Sequence, residues 1–93
     1  MNVAICQVKL RFPENQSLKG KRQVLKSIIA RLRNKFNVSV AEVDNGDKWQ
    51  RATLGIVTVS NESRHVESML VNVEKFISGN DRVEIIDSSI RYV

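Results

Sequence analysis

The apolar residues of this chain change period in a fixed order, and that order constrains the fold more than any other feature. From Asn2 to Phe12 they alternate. Ala4, Cys6, Val8, Leu10 and Phe12 point one way, and Val3, Ile5, Gln7, Lys9 and Arg11 the other. A period of two belongs to a half-buried strand. Pro13-Glu14-Asn15-Gln16 breaks it. From Leu18 to Phe36 the period lengthens to that of a helix, with Leu18, Leu25, Ile28, Ile29, Leu32 and Phe36 on one face and Ser17 in the capping position. Asn37 ends it. Val38–Asp44 reads as a second strand. Asn45-Gly46 is a turn signal, but a two-residue turn would set Asp44 opposite Asp47, so a longer loop through Trp49 is expected. Ala52–Ser60 is apolar on both faces, as a central strand should be. Glu62–Ile77 returns to the helical period, with Val66, Met69, Leu70, Val73 and Ile77 facing the core, Ser60 or Asn61 as cap, and Gly79-Asn80 as stop. Arg82–Val93 is the fourth strand.

Strand, helix, strand, strand, helix, strand in a chain of 93 residues predicts a ferredoxin-like α+β sandwich. A four-stranded antiparallel sheet carries two helices on one face, with the first and third strands at its centre. The chain is too short for more than one core. No linker, repeat or low-complexity segment divides residues 1–93, so a single domain is expected.

Charge is concentrated on the first helix. Between Leu18 and Phe36 stand Lys19, Lys21, Arg22, Lys26, Arg31, Arg33 and Lys35, with no acidic residue among them. The other eight basic residues of the chain are outnumbered by its ten acidic ones. The net charge of +5 is therefore local to one element. At about 100° per residue, Lys19, Arg22, Lys26 and Arg33 fall within about 60° of one another and span about 21 Å of helix. Lys21, Arg31 and Lys35 are read as the opposite flank of the apolar face. A row of one sign suits a phosphate backbone. Its placement opposes local stability. Cations in the first turn face the positive end of the helix dipole, and Lys19–Arg22, Arg22–Lys26 and Arg31–Lys35 are like-charged neighbours.

The expected topology gathers Lys9, Arg11, Lys19, Lys21, Arg22, Lys48, Trp49 and Arg51 at one end of the molecule. Trp49 lies in a polar segment, DKWQRA, where an aromatic ring among cations can stack on a base. Folding back over the end of the core is the competing role for that ring. Glu14, Asp44, Asp47 and Asp81 at the same end would mute the field.

Little else points to chemistry. Cys6 is the only cysteine and His65 the only histidine, so no metal-ligand cluster and no internal disulfide are expected. Cys6 points toward the expected core as an inert thiol, and His65 toward the surface of the second helix. No P-loop, GxGxxG or GxSxG pattern occurs. Catalytic residues and cofactors are expected to be absent, and the protein is not expected to be an enzyme. An RRM would need exposed aromatics on the central strands, which offer only Phe12. A metallochaperone of this fold would need a second cysteine near Cys6. An acylphosphatase would need a glycine-rich loop after the first strand, and Pro13–Ser17 has no glycine. The first residues, MNVAICQVKL, lack a signal-peptide pattern, and no apolar stretch is long enough to span a membrane.

The strings SLKGKRQVLKSII, FNVSVAEVD, WQRATLGIVTVSN and RHVESML, in this order, resemble a small bacterial family of uncharacterised proteins, the YlxP-like family. The match spans essentially the whole chain. It implies a ferredoxin-like fold and a cytoplasmic protein. Family members encoded beside translation and ribosome-maturation factors imply a role near RNA or the ribosome. No activity is known for the family, so it lends no catalytic residues. Ser17–Arg22 and Trp49–Arg51 match its recurring motifs.

The expectation is thus a non-enzymatic RNA-binding or ribosome-associated factor. Its nucleic-acid-binding residues would be Lys19, Lys21, Arg22, Lys26, Arg33, Trp49 and Arg51. The alternative is a protein–protein module, a homodimer, built on Val3, Ile5 and one apolar side of the third strand.

Overall fold

The computed structural model describes residues 1–93. Strand β1 spans Asn2–Arg11, helix α1 Leu18–Lys35, β2 Ser39–Asp44, β3 Arg51–Ser60, helix α2 Ser63–Ser78 and β4 Glu84–Tyr92. The strands form one antiparallel sheet in the order β2-β3-β1-β4. This is the ferredoxin-like arrangement expected from the order of periodicities.

Alternation sets the two faces of the sheet. Ala4, Cys6, Val8 and Leu10 of β1 and Ala52, Leu54 and Ile56 of β3 are buried beneath the helices. They meet Leu25, Ile28 and Leu32 of α1 and Val66, Leu70, Val73 and Ile77 of α2 in one core. Helix α1 lies over β2, and α2 lies over β1, β3 and β4. Phe36 and Phe76 join the two helices edge to face, with ring centroids 6.0 Å apart.

The ends of the elements show local chemistry at work. Ser17 Oγ accepts the Gly20 N–H at 2.9 Å and caps α1. Helix α1 stops at Lys35. Phe36 turns extended, and its N–H closes on the Leu32 carbonyl. At α2 the cap position falls to Glu62, whose side chain makes no capping bond. Ser60, expected as a cap, accepts the Glu62 N–H instead. Gly79 ends α2 in the right-handed region, with φ −75°. The next residues form a turn in which Asn80 Oδ1 accepts the Arg82 N–H, so β4 begins at Glu84, later than expected. The β2–β3 connection is a loop of residues 45–50, with Asn45 at φ 65°.

Candidate nucleic-acid interface

Seven cations on one helix find five different environments. Lys19, Arg22 and Lys26 are exposed and make no ion pair or hydrogen bond. They run down the solvent side of α1. The protein's ion pairs lie elsewhere, at Arg11–Glu84 and Lys21–Glu42.

Lys21 corrects the sequence reading. Its side chain has no exposed surface. The ammonium donates to Glu42 Oε2 at 3.2 Å and contacts the carbonyl oxygens of Asn45 at 2.8 Å, Gly46 at 3.3 Å and Arg51 at 3.1 Å. A buried ammonium is tolerated only when its protons are satisfied this way. Lys21 therefore cannot reach a phosphate. It ties the first turn of α1 to the β2–β3 loop.

Arg33 and Lys35 are also engaged. The Arg33 guanidinium donates to the Val40 carbonyl at 2.7 Å, which anchors the helix to edge strand β2. Lys35 Nζ lies 5.1 Å from the Phe76 ring centroid, within cation–π range. Arg31 is exposed on the far flank, in a polar cleft of about 480 Å³ shared with Gln23, Ser27, Asn80, Asp81 and Arg82.

The loops at the start of α1 are laced together. Asn15 Nδ2 donates to the Ser17 carbonyl and to the Trp49 carbonyl, both at 2.6 Å. Gln50 Nε2 donates to the carbonyls of Pro13 and Asn15. The Phe12 N–H donates to the Gln50 carbonyl at 2.9 Å. These bonds hold the Trp49 backbone one side chain away from the cap of α1. The Trp49 side is not a lid on the core: the residue is 56% exposed. Lys48 and Arg51 beside it are exposed and without an ion pair. Lys19, Arg22 and Lys26 thus lead away from an exposed tryptophan whose main chain is held beside the cap of α1.

Two groups the sequence set aside are placed plainly. Cys6 is buried, and its thiol donates to Glu74 Oε1 at 3.7 Å. Burial first, and the Glu74 charge second, push its pKa up to about 11. His65 is on the α2 surface, 3.6 Å from Glu62.

The open face of the sheet carries the apolar residues expected there. The register sets Val3 opposite Val59 and Ile5 opposite Val57. Val57 is 38% and Val59 44% exposed.

The chain matches a model of a protein family described as "Protein of unknown function (DUF503)" over residues 3–90, and it belongs to that family. Uncharacterized protein YlxP of Bacillus subtilis (strain 168) is 46% identical over 68 residues, covering 73% of this chain and 74% of that one. A solved structure, the de novo designed protein Foldit4, aligns with a TM-score of 0.51 at 15% identity, over 100% of this chain and 97% of its own. That likeness concerns the fold alone. No helix is long and apolar enough to cross a membrane.

Proposed function

We propose that the protein is a non-enzymatic RNA-binding or ribosome-associated factor whose helix α1 contacts phosphates. The observation that carries this reading is the set Lys19, Arg22 and Lys26. They are exposed, free of acidic partners and aligned on a helix with no carboxylate. Cations that serve stability find partners, as Lys21, Arg33 and Lys35 do here. Those that do not remain available to a polyanion.

The test is binding of small-subunit ribosomal RNA, followed by anisotropy at several salt concentrations. Three phosphate contacts give a log K against log[salt] slope of about −2 to −3. Reversing charge at Lys19, Arg22 and Lys26 together should remove binding and leave the circular dichroism unchanged. An unaltered affinity would exclude this surface.

The open sheet face favours a second reading, a homodimer. Val3, Ile5, Val57 and Val59 are cross-strand neighbours on one patch, and exposed apolar patches mark association surfaces. Light scattering at high concentration decides it: a strict monomer removes this reading and leaves the first untouched.

A further inference from the structure

We infer that the RNA is taken as a single strand, with an unpaired base stacked on Trp49. This rests on the reading of α1 as an RNA-contacting surface. It adds the class of RNA and the residue that selects it.

Tryptophan is a residue that folding usually buries to a large extent. Here it is 56% exposed, in a loop whose backbone is tied on both sides. Asn15 holds the Trp49 carbonyl, and Gln50 holds the carbonyls of Pro13 and Asn15. Lys21 holds the carbonyls of Asn45, Gly46 and Arg51 around the same loop. The main chain that carries the exposed ring is thus held in place, which lowers the ordering cost of stacking a ligand on it.

An aromatic side chain can stack only on a base that has left a duplex. Single-strand binders combine such a ring with cations that follow the backbone. This chain has that combination. Lys48 and Arg51 flank the ring in sequence, and Lys19, Arg22 and Lys26 continue from the adjoining helix start, all without ion pairs. Duplex RNA is a poorer fit. Its deep, narrow major groove excludes side chains, and duplex-binding modules span two successive minor grooves. Lys19 to Lys26 covers only about 10 Å of helix.

The experiment uses the full chain and a fluorescein-labelled RNA of mixed sequence, about 12 nucleotides long. It is offered single-stranded, then as a blunt duplex with its complement, over the same series of salt concentrations. The single strand should bind at least about 10-fold more tightly, and it should quench Trp49 emission. Trp49→Ala should weaken single-strand binding by about 10-fold or more without changing the salt slope, because the ring carries no charge. Trp49→Phe should retain most of the affinity. Thermal melts confirm that both variants fold, since the hydrogen bond from Asn15 goes to the main chain at this position. Equal affinity for strand and duplex, or unchanged single-strand binding by Trp49→Ala, would overturn the inference while the α1 surface stands. Failure to bind either RNA would overturn the reading of α1 itself, and the inference with it.

Discussion

Lys21 Nζ and Glu42 Oε2 lie 3.2 Å apart, and the pair joins a helix start to an edge strand with the lysine fully enclosed. The Glu42 side chain keeps 25% of its surface, so water can still screen it when the lysine is removed. The main loss on Lys21→Met would come from the carbonyls of Asn45, Gly46 and Arg51, deprived of their donor. We expect a destabilisation of about 2–3 kcal/mol, read from urea unfolding. Glu42→Gln should cost less, about 1 kcal/mol, because the carbonyls keep the ammonium. A Lys21→Met protein as stable as the parent would show that the buried charge costs as much as its bonds return.

The order of elements was legible because it rests on local periodicity, which the sheet and helices merely use. The same arithmetic contained Lys21. Its spacing to Leu25, Ile28 and Leu32 is that of the core stripe, and at about 100° per residue it projects between Ile28 and Leu25. Its charge, not its position, directed the reading toward solvent. Arg33 and Lys35 were not legible in this way. Their partners are the Val40 carbonyl and the Phe76 ring, brought to α1 by tertiary packing. The exposure of Trp49 was equally undetermined locally, since it depends on bonds from Asn15 and Gln50 across two loops. Lys19, Arg22 and Lys26 are exposed, and at about 100° per residue they stand about 60° to 120° around the helix from the buried Leu25.

Gly20 and Asn15 should show coupled effects on stability. A Cβ at Gly20 would collide with Asn15 Oδ1. Asn15 cannot yield without losing its bonds to the Ser17 and Trp49 carbonyls. Gly20→Ala should therefore destabilise the parent by about 1 kcal/mol, despite the better helix propensity of alanine. In an Asn15→Ala background only Ser17 Oγ stays close, 3.1 Å from the added Cβ, and Gly20→Ala should cost less than in the parent. Denaturant midpoints of the four proteins in this cycle test it. Additive effects would mean that the two residues do not interact.

Cys6 gives a pH dependence with a definite sign. Burial and the nearby Glu74 raise its pKa from 9.0 to about 11. In the unfolded chain the thiol loses its proton near the lower value, while the folded protein keeps it. Its contribution is fully present below pH 9.0 and is lost as pH rises toward about 11. Within that window the loss is about 1.4 kcal/mol per pH unit. The measurement is the difference between the parent and Cys6→Ala. That difference should fall across the window. Alkylation of the native thiol at pH 8 should also be slow and should accelerate on unfolding. Rapid alkylation of the folded protein would contradict the buried placement.

Arg33 should separate structural from binding cations on the same helix. Its guanidinium donates to the Val40 carbonyl on strand β2, which pairs with β3 alone. Lys26 makes no such bond and points to solvent. Arg33→Met should lower stability by about 1 kcal/mol through the lost hydrogen bond. It should also promote association, because a charged side chain no longer guards the edge strand. Lys26→Met should leave stability within about 0.5 kcal/mol of the parent. It should reduce the magnitude of the RNA salt slope by about 0.7 to 0.9, the share of one phosphate contact. Unfolding curves and salt titrations on the two variants form a crossed test. If Lys26→Met lowers stability and Arg33→Met changes only the salt slope, the assignment of roles along α1 is reversed.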